Sequence, residues 1–121
     1  MTAMKLDHLV LLVRSLDASL PWYSALLGLL GFEKTREHVW YNGALAIDLK
    51  QAEPGTPDYQ RYAPGLNHLG VTAADEAALT AVRDGMAAAG FEVPDEQRLR
   101  TEVATFFTDP DGMRIEVTVY G

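Results

Sequence analysis

The chain contains no cysteine. That absence removes disulfides, thiolate nucleophiles and thiolate metal sites together, so any bound metal must be held by imidazole and carboxylate. Basic residues are few: 10 Lys and Arg stand against 17 Asp and Glu, for a net charge of -7. Nucleic-acid backbones and anionic membrane faces call for a basic surface, so neither is expected as a partner. A local basic pocket remains compatible with this balance, because net charge describes solubility and not one site. Long apolar runs are also missing. Leu9 to Val13 is too short for a membrane span or a signal core, and Asp7 and His8 precede it where a signal peptide would carry basic charge. A cytoplasmic location is the expectation.

What is present is a repeat. Asp7-His8-Leu9-Val10 returns as Asn67-His68-Leu69-Gly70-Val71, and Gly31-Phe32-Glu33 returns as Gly90-Phe91-Glu92. Leu45-Ala46-Ile47-Asp48-Leu49 returns as Met113-Arg114-Ile115-Glu116-Val117. Each half thus carries a histidine on its first strand and a carboxylate on its last. A duplicated unit that repeats a potential metal ligand at both ends points to a metal site at a pseudo-two-fold axis. At 121 residues and 48% apolar content, the chain is expected to fold as one domain, 1–121, with a core of its own.

Hydrophobic periodicity places the elements. Met1 to Met4 read either as a frayed start or as residues added ahead of the natural chain. Leu6 to Val13 reads as a strand. A helical pattern then starts at Asp17, with Leu20, Tyr23 and Leu27 on one face, Asp17 or Ser19 as its cap and Pro21 in its first turn. Gly28 and Gly31 end it. Phe32 to Arg36, His38 to Tyr41 and Leu45 to Lys50 read as strands, with Asn42-Gly43 as a two-residue hairpin turn. Gln51 to Gly65, rich in Pro and Gly, is the linker between module one (5–50) and module two (66–120). In module two, Asn67 to Thr72 is a strand. Asp75 caps a helix that buries Leu79, Val82 and Met86 and is closed by Gly90. Phe91 to Val93, Glu102 to Thr108 and Met113 to Tyr120 follow as strands, with a turn at Asp109-Pro110-Asp111-Gly112. The expected fold is α+β: two βαβββ modules forming a cup-shaped mixed β-sheet with helices on the outer face.

Strand parity tests the metal idea independently, because side chains alternate faces along a strand. Asp48 and Glu116 fall on the polar face of their strands, opposite Ile47 and Ile115. His68 shares its face with Gly70 and Thr72, again the less apolar side. His8 shares its face with Val10 and Leu12, so parity says less there. A lone strand histidine or carboxylate is ordinarily structural or solvated; four of them at matching module positions are not explained that way. The same parity argument makes Arg114, Arg36 and Trp40 candidates for binding a substrate. Arg114 is the best anion-binding candidate, its ordinary alternative being a salt bridge to a neighbouring acid. His38 is a weaker candidate. Tyr59, Arg61 and Tyr62 in the linker are read either as a lid or as anchors of the crossing between modules.

The run Asp7-His8-Leu9-Val10, with Ser19-Leu20-Pro21-Trp22-Tyr23 and Leu27-Gly28, resembles the vicinal oxygen chelate superfamily. So does Phe107-Thr108-Asp109-Pro110-Asp111-Gly112 with Ile115-Glu116-Val117. That group includes glyoxalase I, fosfomycin-resistance thiol transferases, extradiol dioxygenases, methylmalonyl-CoA epimerase and bleomycin-binding proteins. The resemblance covers essentially the whole chain. It implies metal ligands at His8, Asp48, His68 and Glu116, a divalent ion (Ni, Zn, Mn, Co or Fe), a small-molecule substrate and a homodimer. It also implies a metal-dependent lyase or isomerase of glyoxalase type, with Glu116 or Asp48 moving a proton. Two alternatives come with it: a ring-cleaving dioxygenase or thiol transferase on a His8, His68, Glu116 triad, and a non-catalytic binder of the bleomycin-resistance kind. The departure from the glyoxalase pattern is Asp48, where those proteins carry Glu. Asp48 is shorter by one methylene, about 1.5 Å of reach.

Overall fold

The computed structural model describes residues 2–121; the expectation for Met1 lies outside them. The chain divides into two compact units at the Thr56/Pro57 boundary, inside the stretch read as the linker. The first unit runs β1 (His8–Val13), α1 (Leu16–Leu29), β2 (Glu33–Arg36), β3 (Val39–Tyr41) and β4 (Ala46–Gln51). The second runs β5 (His68–Thr72), α2 (Glu76–Ala88), β6 (Gln97–Leu99), β7 (Glu102–Thr108) and β8 (Arg114–Val119). Both are βαβββ modules of an α+β fold. The sheet orders match as well, β1-β4-β3-β2 and β5-β8-β7-β6, with a parallel pair between the first and last strand of each unit.

Each sheet has one face against its helix. In the first unit Trp22, Tyr23, Leu26 and Leu27 of α1 are buried, as are Leu11, Val13, Trp40, Ile47 and Leu49 of the strands. In the second, Leu79, Val82 and Met86 of α2 are buried along with Val103, Phe107, Ile115, Val117 and Val119. Full burial of one such side chain is worth about 1.5–3 kcal/mol, so these alternate positions fix the strand register.

The repeated Gly-Phe-Glu has a structural cause. After α1, Gly31 N–H donates to Gly28 O at 3.1 Å and Phe32 N–H to Leu27 O at 2.9 Å. After α2, Gly90 N–H donates to Ala87 O and Phe91 N–H to Met86 O, each at 3.0 Å. This is the paired carbonyl-satisfying cap that needs positive φ at the residue past the helix end, and Gly31 and Gly90 supply it at φ 94 and 89.

Four local expectations are corrected. The cap of α1 is Ser15, whose side chain accepts from Ala18 N–H at 3.2 Å, so the helix starts at Leu16 and Pro21 lies inside it rather than in the first turn. The Asn42-Gly43 turn is longer than two residues: Tyr41 pairs with Ala46, and the Asn42 side chain accepts from Ala44 and Leu45 N–H. The two-residue turn falls instead at Glu37-His38, between the paired residues Arg36 and Val39, with His38 at φ 64. Finally, Phe91 to Val93 is not a strand. The segment that pairs with β7 is Gln97–Leu99, set by a two-residue turn at Arg100-Thr101 and lying beyond Pro94, which has no N–H to give a ladder. The turn before β8 forms as expected: buried Asp109 accepts from Asp111 and Met113 N–H at 2.8 and 2.9 Å.

Candidate functional site

The repeat extends to strand register. His8 pairs with Ala46 and Val10 with Asp48 in the first unit; His68 pairs with Arg114 and Gly70 with Glu116 in the second. In-register residues of neighbouring strands point to the same face. Each histidine therefore shares the face away from its helix with the carboxylate two residues along the partner strand. Parity had said little about His8. Val10 and Leu12, on its face, are 47% and 62% exposed, so that face is the open one despite its apolar character.

The two pairs differ in closure. His68 Nε2 lies 3.0 Å from Glu116 Oε1, with both side chains part-exposed. The other oxygen, Oε2, accepts from the hydroxyl of buried Thr118. In the first unit the histidine and carboxylate keep separate partners: His8 meets Asp7, and Asp48 Oδ2 lies 3.9 Å from Lys50 Nζ. The residue two beyond the carboxylate is thus a hydroxyl donor in one module and an ammonium in the other. Among the described residues no three His, Asp or Glu side chains form a cluster able to hold a metal ion; the second unit offers a pair.

The tautomers of the histidines follow from their neighbours. Asn67 Nδ2 donates to Arg61 O at 3.2 Å, which turns Asn67 Oδ1 toward His68 Nδ1 at 2.7 Å. An amide oxygen only accepts, so Nδ1 carries the proton and donates it. His68 Nε2 in the neutral ring is then a lone pair facing a carboxylate oxygen. Two acceptors at 3.0 Å repel each other unless a proton or a cation sits between them. His8 repeats the first half of this arrangement, its Nδ1 lying 2.8 Å from Asp7 Oδ2. In both modules the residue before the histidine engages Nδ1 and leaves Nε2 available, as in histidines that ligate metals.

Arg114 lies on the same open face. Its guanidinium carbon stands 4.2 Å from the centroid of Phe106, which pairs with Glu116 on β7 and meets the His68 ring edge-on at 5.5 Å. Trp40 is a correction. It pairs with Ile47, is 3% exposed, and so lies on the helix side of its sheet, away from Asp48. The two-residue turn pairs Arg36 with Val39, which reverses the parity that would put 36 and 40 on one face. Arg36 is exposed, in the row of Val39 and Asp48. His38 sits in the turn, 3.3 Å from Glu37.

In the linker, Tyr59 donates to Leu66 O and Asn67 O at 2.6 and 3.0 Å and so anchors the chain just ahead of β5. Burial, then the Asp109 charge, pushes its phenol up from the usual range. The Tyr62 phenol is lowered, first by the hydrogen bond from Arg61. Sequence reasoning passed over Asn67, Thr118 and Phe106. The first was legible, since Asn67 stands in the repeat where Asp7 does; the other two depend on which strands become neighbours.

Residues 5–117 match the family described as the Glyoxalase/Bleomycin resistance protein/Dioxygenase superfamily. Among solved structures, the chain is similar to a glyoxylase/bleomycin resistance protein/dioxygenase domain from Frankia sp. EAN1pec. That likeness has a TM-score of 0.77 at 23% identity and covers 99% of this chain and 100% of that one. A candidate glyoxalase from Bacillus halodurans gives 0.75 at 24% identity, covering 94% of each. A glyoxalase/bleomycin resistance protein from Albidiferax ferrireducens T118 gives 0.71 at 22%, covering 95% and 98%. At these identities the likenesses show the fold. No curated protein matches the chain. No helix among the described residues is long and apolar enough to cross a membrane. With the family match spanning nearly its whole length, the chain belongs to the Glyoxalase/Bleomycin resistance protein/Dioxygenase superfamily.

Proposed function

We propose that the protein is a metal-dependent lyase or isomerase of the glyoxalase type. It would hold a divalent ion through His68 Nε2 and Glu116 Oε1, with His8 and Asp48 as the corresponding pair of the first module. The observation that carries this reading is the contact of His68 Nε2 with Glu116 Oε1 at 3.0 Å, with Nδ1 already engaged by Asn67. The donor set fits such an ion: imidazole nitrogen and carboxylate oxygen suit borderline and harder divalent metals, and there is no thiolate to select a soft one.

When bound, the metal supplies Lewis acidity toward neighbouring substrate oxygens. The remaining chemistry belongs to the chain. Thr118 holds Glu116 Oε2, which leaves Oε1 oriented toward His68. The side chain of Asp48, shorter and part-exposed, is the carboxylate less committed to a ligand role and so the better placed to move a proton. A homodimer belongs to the same proposal, supported by the exposed apolar side chains of Val10 and Leu12, and is read by light scattering in solution.

The test is elemental analysis of the protein as isolated, with Glu116→Ala alongside. A stoichiometric divalent metal that Glu116→Ala loses is the expected result. A variant that retains both metal and any activity found would refute the assignment. A protein with no metal affinity by calorimetry would turn the reading to the non-catalytic, ligand-sequestering branch.

A further inference from the structure

The chain is acidic, and two of its arginines are held by acids. Arg83 and Arg98 meet Glu96, and Arg98 also meets Glu76. Arg114 is half-buried and forms no ion pair among the described residues. Its guanidinium is held by stacking on Phe106, and its Nε is shielded from solvent without a hydrogen-bond partner. A guanidinium presents its donors in a planar fork suited to a carboxylate, and leaving a shielded donor unpaired is costly. The ordinary alternative is a surface arginine whose terminal nitrogens are satisfied by water; the stacking on Phe106 and the place beside His68 and Glu116 favour a ligand.

Position adds to this. Arg114 pairs with His68 across the β5/β8 ladder and stands two residues before Glu116 on the same face. Two residues along a strand span about 7 Å. Arg114 leans over Phe106, which is the cross-strand neighbour of Glu116, and so shortens that separation. Arg61 stands in the same neighbourhood: its charge and that of Arg114 both act on the phenols of Tyr59 and Tyr62. Arg61 likewise forms no ion pair among the described residues.

We propose that Arg114, seated on Phe106, receives the carboxylate of the substrate, and that the substrate is a small organic acid with an oxygen-bearing carbon a few bonds from that carboxylate. This rests on the reading of His68 and Glu116 as the reacting end. Arg61 strengthens the local positive field, and the fork of Arg114 takes both oxygens of the carboxylate, while the stacked Phe106 favours the organic acid over a bare inorganic anion.

The probes are 3-hydroxybutanoate, its uncharged analogue 3-hydroxybutanamide, and inorganic phosphate. Each is titrated against chelator-treated protein and followed by the Arg114 Nε–H resonance and by calorimetry. The acid is expected to shift that resonance and to bind at least tenfold tighter than the amide or phosphate. Arg114→Met should abolish the preference, and Arg114→Lys, which keeps the charge and loses the fork, should retain only part of it. Equal binding of acid and amide, phosphate binding as tightly as the acid, no response to the acid, or a preference that survives Arg114→Met would each overturn the proposal. Because the titration is done without metal, its outcome is separable from the metal assignment. An acid preference in a protein with no metal affinity sinks only the metal reading. A metal-loaded protein without the preference sinks only this one.

Discussion

Replacing Asn67 by alanine removes the acceptor that fixes the His68 ring. Two contacts go: the 2.7 Å bond from His68 Nδ1 and the 3.2 Å bond from Asn67 Nδ2 to Arg61 O. A net hydrogen bond is worth about 0.5–1.5 kcal/mol, and loss of the outer partner of a ligating histidine typically lowers metal affinity 10–100-fold. The expected result for Asn67→Ala is therefore about a tenfold weaker affinity for Zn²⁺, roughly 1.4 kcal/mol, with the thermal midpoint little changed. Competition against a chromophoric chelator measures it. The control is Asn67→Asp, which keeps an acceptor in the place Asp7 occupies before His8, and which should bind within a few-fold of the parent. A tautomer-setting role predicts that Asp rescues and Ala does not. Asn67→Ala binding as tightly as the parent, or Asn67→Asp as weakly as Asn67→Ala, would refute the reasoning.

Gly31→Ala and Gly90→Ala should each cost about 1–2 kcal/mol in urea melts, because both glycines cap a helix at positive φ. No heavy atom stands within 4 Å of an added Cβ at either site, so the loss is conformational; a cost near zero at both would contradict the caps. Asp48→Glu should raise divalent-metal affinity if reach is what separates the modules, and an unchanged affinity would shift the explanation to Lys50. In an alkaline titration followed by phenolate absorbance, Tyr62 should ionise below and Tyr59 above the ordinary tyrosine range, with Tyr62→Phe removing the early phase alone. The raised Tyr59 value favours the fold at pH below the unfolded value, and that contribution is lost as pH rises through the folded one. Tyr59→Phe should therefore flatten the alkaline end of the stability profile.

Local signals carried well where a single segment decides the outcome. The order of strands and helices, the Asp75 cap, the Gly31 and Gly90 helix ends and the Asp109 turn all follow from side chains acting within a few residues of themselves. Errors arose where the outcome depends on which segments pair. Parity makes Trp40 a candidate for the open face along with Arg36, but the two-residue turn between them pairs 36 with 39, and Trp40 lies in the core. For the second strand of module two, the local apolar pattern points to Phe91 to Val93. Pairing with β7 recruits Gln97–Leu99, an exposed segment with no apolar alternation to announce it.

The candidate site has the same division. Its faces were legible from parity in three of four positions, and the fourth, His8, is decided by the register His8↔Ala46. What parity cannot carry is the unlike treatment of two like corners. Glu116 has Thr118 to steady one oxygen and reaches His68 with the other; Asp48 has Lys50 and reaches no histidine in its own unit. The missing methylene and the neighbouring lysine, 3.9 Å away, are what set part-exposed Asp48 apart from Glu116. Duplication gave both modules the same frame. Within that frame, positions 48 and 50 against 116 and 118 are where a binding corner and a proton-handling corner can part.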